Sequence, residues 1–280
     1  MKVALNLESL APVIRTGEMD IPSCLAFCQS LDVSSIELID ILVRHADLQW
    51  IEQALSDAKC SVSIYDLHLD PVSPDPFKRE VEAARLKVAL QRAAFLGAPL
   101  VSVVPGLIKP GVAVEQAQIW YAETLSLAAP QAQRLGIKLA IENVGMAEIG
   151  CYCGTSSDIN SIYCRSGATV GTVYDAANYV MRGEDPLEAM AALAPSILHV
   201  HVKDWLLVSK HAPDAGDAFE GLGGKYYLGA ILGSGILDVA ATLHRLLANG
   251  YDGHICVEYE GTSEPRGALR QAVERLRSIA

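Results

Sequence analysis

Leu135-Gly136-Ile137-Lys138-Leu139-Ala140-Ile141-Glu142-Asn143 is the stretch from which the fold is read. Gly136 follows the helix-period segment Val114 to Leu135, where a left-handed residue closes a helix. A short apolar run then begins and ends abruptly on an acid. Helix, glycine stop, buried strand and polar strand end is the βα unit of a parallel sheet, whose strands are covered on both faces.

The same unit recurs on either side. Leu96-Gly97 closes the helical pattern Phe77 to Leu96 before an apolar run at Leu100, and Asn249-Gly250 precedes the last run. Strands are predicted at Val3 to Leu7, Ser35 to Ile39, Ser61 to Tyr65, Leu100 to Val104, Lys138 to Glu142, Val170 to Asp175, Ile197 to Val202 and His254 to Glu258. Eight such units in 280 residues, without a Pro- or Ser-rich linker, predict one α/β domain over 1–280, a closed (β/α)₈ TIM barrel. A doubly wound sheet is the alternative, but no G-x-G-x-x-G follows the first strand. The rhythm breaks once. From Trp205 to Gly235 the chain is long and Gly-rich, and at the C-terminal face of a barrel such a loop is either a lid over substrate or a plain surface excursion.

Composition narrows the class further. With 51% hydrophobic and 20% charged residues the chain has a large core to bury. Its formal charge of -11 repels phosphate backbones and anionic membranes, so nucleic-acid and membrane partners are not expected. No apolar run approaches the roughly 18 residues of a membrane helix. The opening MKVALNLESLAP is broken by Asn6 and Glu8 and reads as a first strand rather than a signal peptide, and the 7 scattered cysteines read as reduced thiols. A cytoplasmic protein is expected, and a homo-oligomer is compatible with all of this. Cys151, Cys153 and Cys164 form only a weak zinc pattern, outweighed by their reading as ordinary small side chains.

Strands buried on both faces should be apolar, so ionisable residues at their ends are informative. Glu142, Asp175, His201 and Glu258 end or nearly end the last four predicted strands. In a closed barrel they converge, and three carboxylates together need a positive charge between them. One divalent metal answers that need. The donor set favours Mn²⁺, with Mg²⁺, Co²⁺, Fe²⁺ or Zn²⁺ as alternatives. The competing explanation, an acid capping each following helix, accounts for any one of them more easily than for all.

IEN at Ile141 to Asn143, YDAANY at Tyr174 to Tyr179, HVHVKD at His199 to Asp204 and YDGHICVEYE at Tyr251 to Glu260 resemble the xylose isomerase-like barrel superfamily of sugar phosphate isomerases and epimerases. The resemblance implies one divalent metal held by Glu142, Asp175, His201 and Glu258. It further implies that Glu142 and Glu258 are catalytic, moving a proton at the carbon beside a carbonyl through an enediolate on the metal. The implied substrate is a small carbohydrate; no glycine-rich phosphate cradle is evident, so an unphosphorylated one is expected despite the superfamily's sugar phosphates.

Substrate contacts are expected from Lys203, Glu148, His68, Asn178 and His199. Four of them have a plainer reading: an ion pair for Lys203, a solvated loop charge for Glu148, an exposed loop residue for His68 and a core histidine for His199. Asn178 stands where the ketose epimerases carry a histidine, and Leu207 where they carry an arginine, which weighs against free-ketose 3-epimerisation. A lyase of the inosose or dehydroshikimate dehydratase kind, sharing the metal and the glutamate base, is the alternative activity. The apurinic endonuclease branch is disfavoured, because His45, His211, His244 and His254 fall outside ligand positions and the chain is acidic. A non-enzymatic sugar-binding barrel leaves the four ligands unexplained.

Overall fold

The computed structural model describes residues 2–147, 150–167, 170–212 and 215–279. Among these described residues eleven strands run in chain order: β1 Lys2–Asn6, β2 Ser35–Ile39, β3 Ser61–Leu69, β4 Leu100–Pro105, β5 Lys138–Glu142, β6 Val170–Asp175, β7 Ile197–Val202, β8 Asp204–Val208, β9 Phe219–Glu220, β10 Tyr226–Ala230 and β11 His254–Val257. Eight of them close a parallel barrel in the order β1-β11-β7-β6-β5-β4-β3-β2. Closure is made where Val3 pairs with Ile255 and Leu5 with Val257. The chain is a (β/α)₈ TIM barrel, as the repeated unit predicts.

Helices wrap the barrel, and their ends follow the local chemistry. The helix Val114–Leu135 stops at Gly136, whose φ of 70° is the left-handed conformation that a Cβ disfavours. Asp20, Asp47, Asp75, Asp185 and Asp238 each accept a backbone N–H from the first turn of the helix they precede. No helix of the described residues is long and apolar enough to cross a membrane.

Among the described residues, two of the apolar clusters build the barrel, and a third, Ala177, Met181, Trp205 and Tyr227, packs the excursion against it. The larger of the first two lies between strands and helices and includes Leu5, Leu38, Tyr65, Val101, Tyr121, Ile141, Tyr174, Val200 and Val257. The smaller, formed by Ile64, Leu100, Ala140 and Val173 with Leu198 against it, plugs the barrel interior. Side chains along a strand alternate between faces. The residues two positions beyond Ile64, Ala140 and Val173 therefore share the interior face, nearer the C-terminal end. They are Asp66, Glu142 and Asp175.

Two expectations are corrected. β3 runs on to Leu69, pairing with β4 through Leu69 and Pro105. His68 thus belongs to a barrel strand rather than to a loop, because Asp-Leu-His-Leu keeps the alternation past the buried acid. The Gly-rich segment is not simply a loop either. β8, β10 and β9 form an antiparallel sheet in that order, with Tyr227 opposite Leu207 and Phe219. Gly229 permits its docking, since a Cβ there would lie 2.2 Å from the backbone carbon of Glu260.

Asp204 closes this excursion. Its buried carboxylate accepts N–H bonds from Trp205 (2.9 Å), Gly233 (3.0 Å), Gly235 (2.8 Å) and Leu237 (3.0 Å). The entry and the exit of the segment are thereby held to one side chain.

Candidate metal centre and adjoining cavity

The interior face becomes polar at the C-terminal ends of the strands, which is the end of this architecture where active sites are built. Glu142 ends β5, Asp175 ends β6 opposite His201 of β7, and Glu258 follows β11 directly. All four are buried, and one donor atom from each lies within 4.8 Å of the others. His201 Nδ1 is 3.1 Å from Glu142 Oε1 and 3.6 Å from Glu258 Oε2.

Asp175 divides its two oxygens between tasks. Oδ1 caps the short helix Ala176–Met181, accepting from the N–H groups of Ala177 (2.8 Å) and Asn178 (3.2 Å). Oδ2 has no hydrogen-bond partner, although Lys203 Nζ stands 3.0 Å away. Capping and ligation, posed as alternatives by the sequence, are compatible at this residue. Asn143 steadies the strand end, donating from Nδ2 to the Asp175 carbonyl and accepting the Asp175 N–H at Oδ1, both at 3.0 Å.

Glu37 completes the arrangement and was not foreseen. It lies in the middle of β2, fully buried, with Oε2 2.7 Å from His201 Nε2 and 3.3 Å from His199 Nε2. The contact fixes which nitrogen a cation would receive: Nε2–H donates to Glu37, and Nδ1 faces Glu142 and Glu258, so it is the Nδ1 proton that a cation would displace. An acid inside Ser-Ile-Glu-Leu-Ile was the available signal, because a fully buried strand carries a charge only where something requires it. Glu37, His199, His201 and Cys256 also approach within 4.8 Å of one another. Burial holds the Cys256 thiol well above its usual range.

The charges are interdependent. Burial opposes ionisation of Glu37, but the His201 and His199 side chains more than offset it and hold its carboxyl well below the usual range. Burial raises Glu142 to about 7, with His201 only partly countering it. Glu258 is likewise pushed up by burial, against the pull of Lys203. His201 is driven up despite burial, because Glu37 and Glu142 face it. Lys203 also stays charged in spite of its burial, with Nζ 3.0 Å from Asp175 and Glu258 and 2.8 Å from Glu260.

A cavity of about 250 Å³ opens over this centre. Glu142, Glu258, Lys203, Asn178 and His68 line it, together with Trp205 and Phe219 from the excursion. Among the foreseen contacts, His199 is a correction: it is absent from the cavity wall, buried against Glu37. Glu148 lies outside the described residues. Asn178 donates from Nδ2 to the Asn143 carbonyl at 2.9 Å, which ties the wall to the strand end.

Trp205 and Phe219 pack edge-on, with ring centroids 5.6 Å apart. The Trp205 Nε1–H is buried and has no hydrogen-bond partner. Asp66 Oδ1 and Trp205 Nε1 are two of the buried polar side-chain atoms without a hydrogen-bond partner among the described residues, and both residues line the cavity. Such atoms are costly unless something bound satisfies them, and their gathering around one cavity marks a ligand site. Three carboxylates with one oriented imidazole fit a hard or borderline divalent cation.

A closed parallel barrel with carboxylates and an imidazole converging at its C-terminal end defines a (β/α)₈ protein whose polar centre is built from strand ends. The chain belongs to the xylose isomerase-like TIM-barrel family, whose model matches residues 25–279. No curated protein matches it in sequence. Its fold is similar to that of the IolI protein with a bound zinc atom, at 17% identity and TM-score 0.78 over 100% of this chain and 98% of that one. The probable 3-DHS dehydratase AsbF of Bacillus anthracis is similar at 14% identity and TM-score 0.77, with 99% of each chain covered. The 3-keto-D-glucoside 4-epimerase YcjR of E. coli gives 15% and 0.76, again over 99% of each. These likenesses establish the common fold.

Proposed function

We propose that this protein is a divalent-metal-dependent carbohydrate isomerase or epimerase that moves a proton at a carbon beside a carbonyl. The observation that carries the reading is the pair Glu142 and Glu258. Both border one small cavity, both contribute to a four-residue donor set with Asp175 and His201, and burial raises both carboxyls. A carboxyl raised towards neutrality, as Glu142 is to about 7, is suited to both taking and giving a proton.

In this reading Glu142, Asp175, His201 and Glu258 hold the cation, which we assign as Mn²⁺. When bound, it would draw electron density from adjacent carbonyl and hydroxyl oxygens of the substrate and acidify the C–H beside them. One glutamate removes that proton and the other returns it, to the opposite face in epimerisation or to the neighbouring carbon in isomerisation. Lys203 holds its ammonium against the developing oxyanion. Trp205 donates its unpartnered N–H to a sugar hydroxyl, and Asn178 shapes the wall beside it. Glu8, Asp66 and Glu260 add negative charge to the lining, which favours an uncharged sugar over a phosphorylated or carboxylated one.

The test is deuterium incorporation from D₂O into keto-sugars and inososes incubated with Mn²⁺-loaded protein. Incorporation beside the carbonyl, abolished by Glu142→Gln and by Glu258→Gln, is expected. Turnover that survives both substitutions would reject the proton-transfer assignment. A product lighter by one water would instead select the dehydratase alternative, which begins with the same proton removal.

A further inference from the structure

A second donor set faces the same cavity. Asp66 and His68 stand two residues apart on β3, hence on one face, and Glu8 reaches the cavity from the turn after β1. His68 Nε2 is 3.4 Å from Asp66 Oδ2 and 3.6 Å from Glu8 Oε2, and one donor atom from each residue lies within 4.8 Å of the other two. Four donors at about 2.0–2.2 Å around a tetrahedral ion stand roughly 3.3–3.6 Å apart, so both measured edges match. They are long for a simple hydrogen bond.

An independent observation points the same way. Asp66 is 2% exposed, yet its Oδ1 has no hydrogen-bond partner. A buried carboxylate oxygen left unpaired is expensive, and it borders a cavity from which a cation can reach it. The lining around it is acidic, with Glu8, Asp66 and Glu260 facing the same space.

We infer that Glu8, Asp66 and His68 form a second divalent-cation site, suited to an ion of tetrahedral preference such as Zn²⁺, with its fourth position open to the cavity. Zn²⁺ takes both carboxylate oxygens and imidazole nitrogens as ligands. His68 is half exposed and Glu8 one-third exposed, so solvent gives an entry path. An ion here would offer a hydroxyl or carbonyl of the bound molecule a second anchor. The site is independent of the reading given to Glu142 and Glu258.

The experiment is a Zn²⁺ titration of chelator-stripped protein by calorimetry, with elemental analysis of the saturated product. Two equivalents per chain are expected for the unsubstituted protein, and one each for Asp66→Asn, His68→Gln and His201→Asn. Because His68 is half exposed, His68→Gln should fold even if Asp66→Asn does not. A tetrahedral Co²⁺ absorption band lost in His68→Gln provides a second readout. One equivalent in the unsubstituted protein, lost in His201→Asn and retained in His68→Gln, would overturn the second site and leave the first. One equivalent lost in His68→Gln and retained in His201→Asn would uphold the second site and remove the metal from the first.

Discussion

His201 Nε2 lies 2.7 Å from Glu37 Oε2, a buried contact that spans the barrel interior from β7 to β2. Through it the second strand, which contributes nothing to the four-residue donor set, decides which imidazole nitrogen that set receives. The carboxylate also accepts from Asn6 Nδ2 at 3.4 Å, while Asn6 donates to Glu258 at 3.3 Å. The orientation of the histidine and the position of a facing glutamate are therefore coupled.

Replacing that carboxylate should weaken metal binding without removing a ligand. Glu37→Gln preserves shape but no longer holds Nε2–H by charge, and loss of such an outer partner costs about 10–100-fold in affinity. Calorimetric titration with Mn²⁺ measures it. An unchanged affinity would mean that Glu37 does not orient His201.

Metal affinity should rise with pH between about 6 and 8. Glu142, raised to about 7, is protonated below that value, and His201 carries a proton through neutrality, so a cation must displace both. Each displaced proton contributes about a tenfold change per pH unit. Titrations at three pH values, in buffers of different ionisation enthalpy, report both the slope and the released protons.

The Trp205 indole should govern binding more than chemistry. For a sugar that exchanges deuterium, Trp205→Phe keeps the aromatic wall and removes the N–H. KM is expected to rise about tenfold, equivalent to roughly 1.4 kcal/mol, with kcat little altered. A fall in kcat at constant KM would place the indole in the reaction rather than in binding.

Asp204→Ala should destabilise the protein by on the order of 3 kcal/mol, since four N–H groups lose one buried acceptor. Chemical denaturation measures the loss. Proteolysis should cut first within 205–237, the segment that Asp204 holds closed. Equal loss of protection throughout the barrel would contradict this role.

Much of the barrel was legible because βα units announce themselves locally. Gly136 stops a helix through its own φ preference, and a strand covered on both faces must be apolar from end to end. Glu142, Asp175, His201 and Glu258 stood out for the same reason, as polar residues at ends where burial disfavours them. Glycine misled in one place: seven glycines in 205–235 suggested a loop, whereas the backbone approach at Gly229 serves a docked sheet.

What lies beyond local pattern depends on closure. Glu37 meets His201, and Asp66 meets Glu8, only when strands far apart in sequence curve into one cylinder and turn the same face inward. Which oxygen of Asp175 caps a helix and which meets Lys203, and whether His199 lines a cavity or supports its floor, follow from side chains packing across that interior. Periodicity in a chain sets the face a residue occupies, because alternation is a property of the backbone. Distance between faces is a property of the closed barrel.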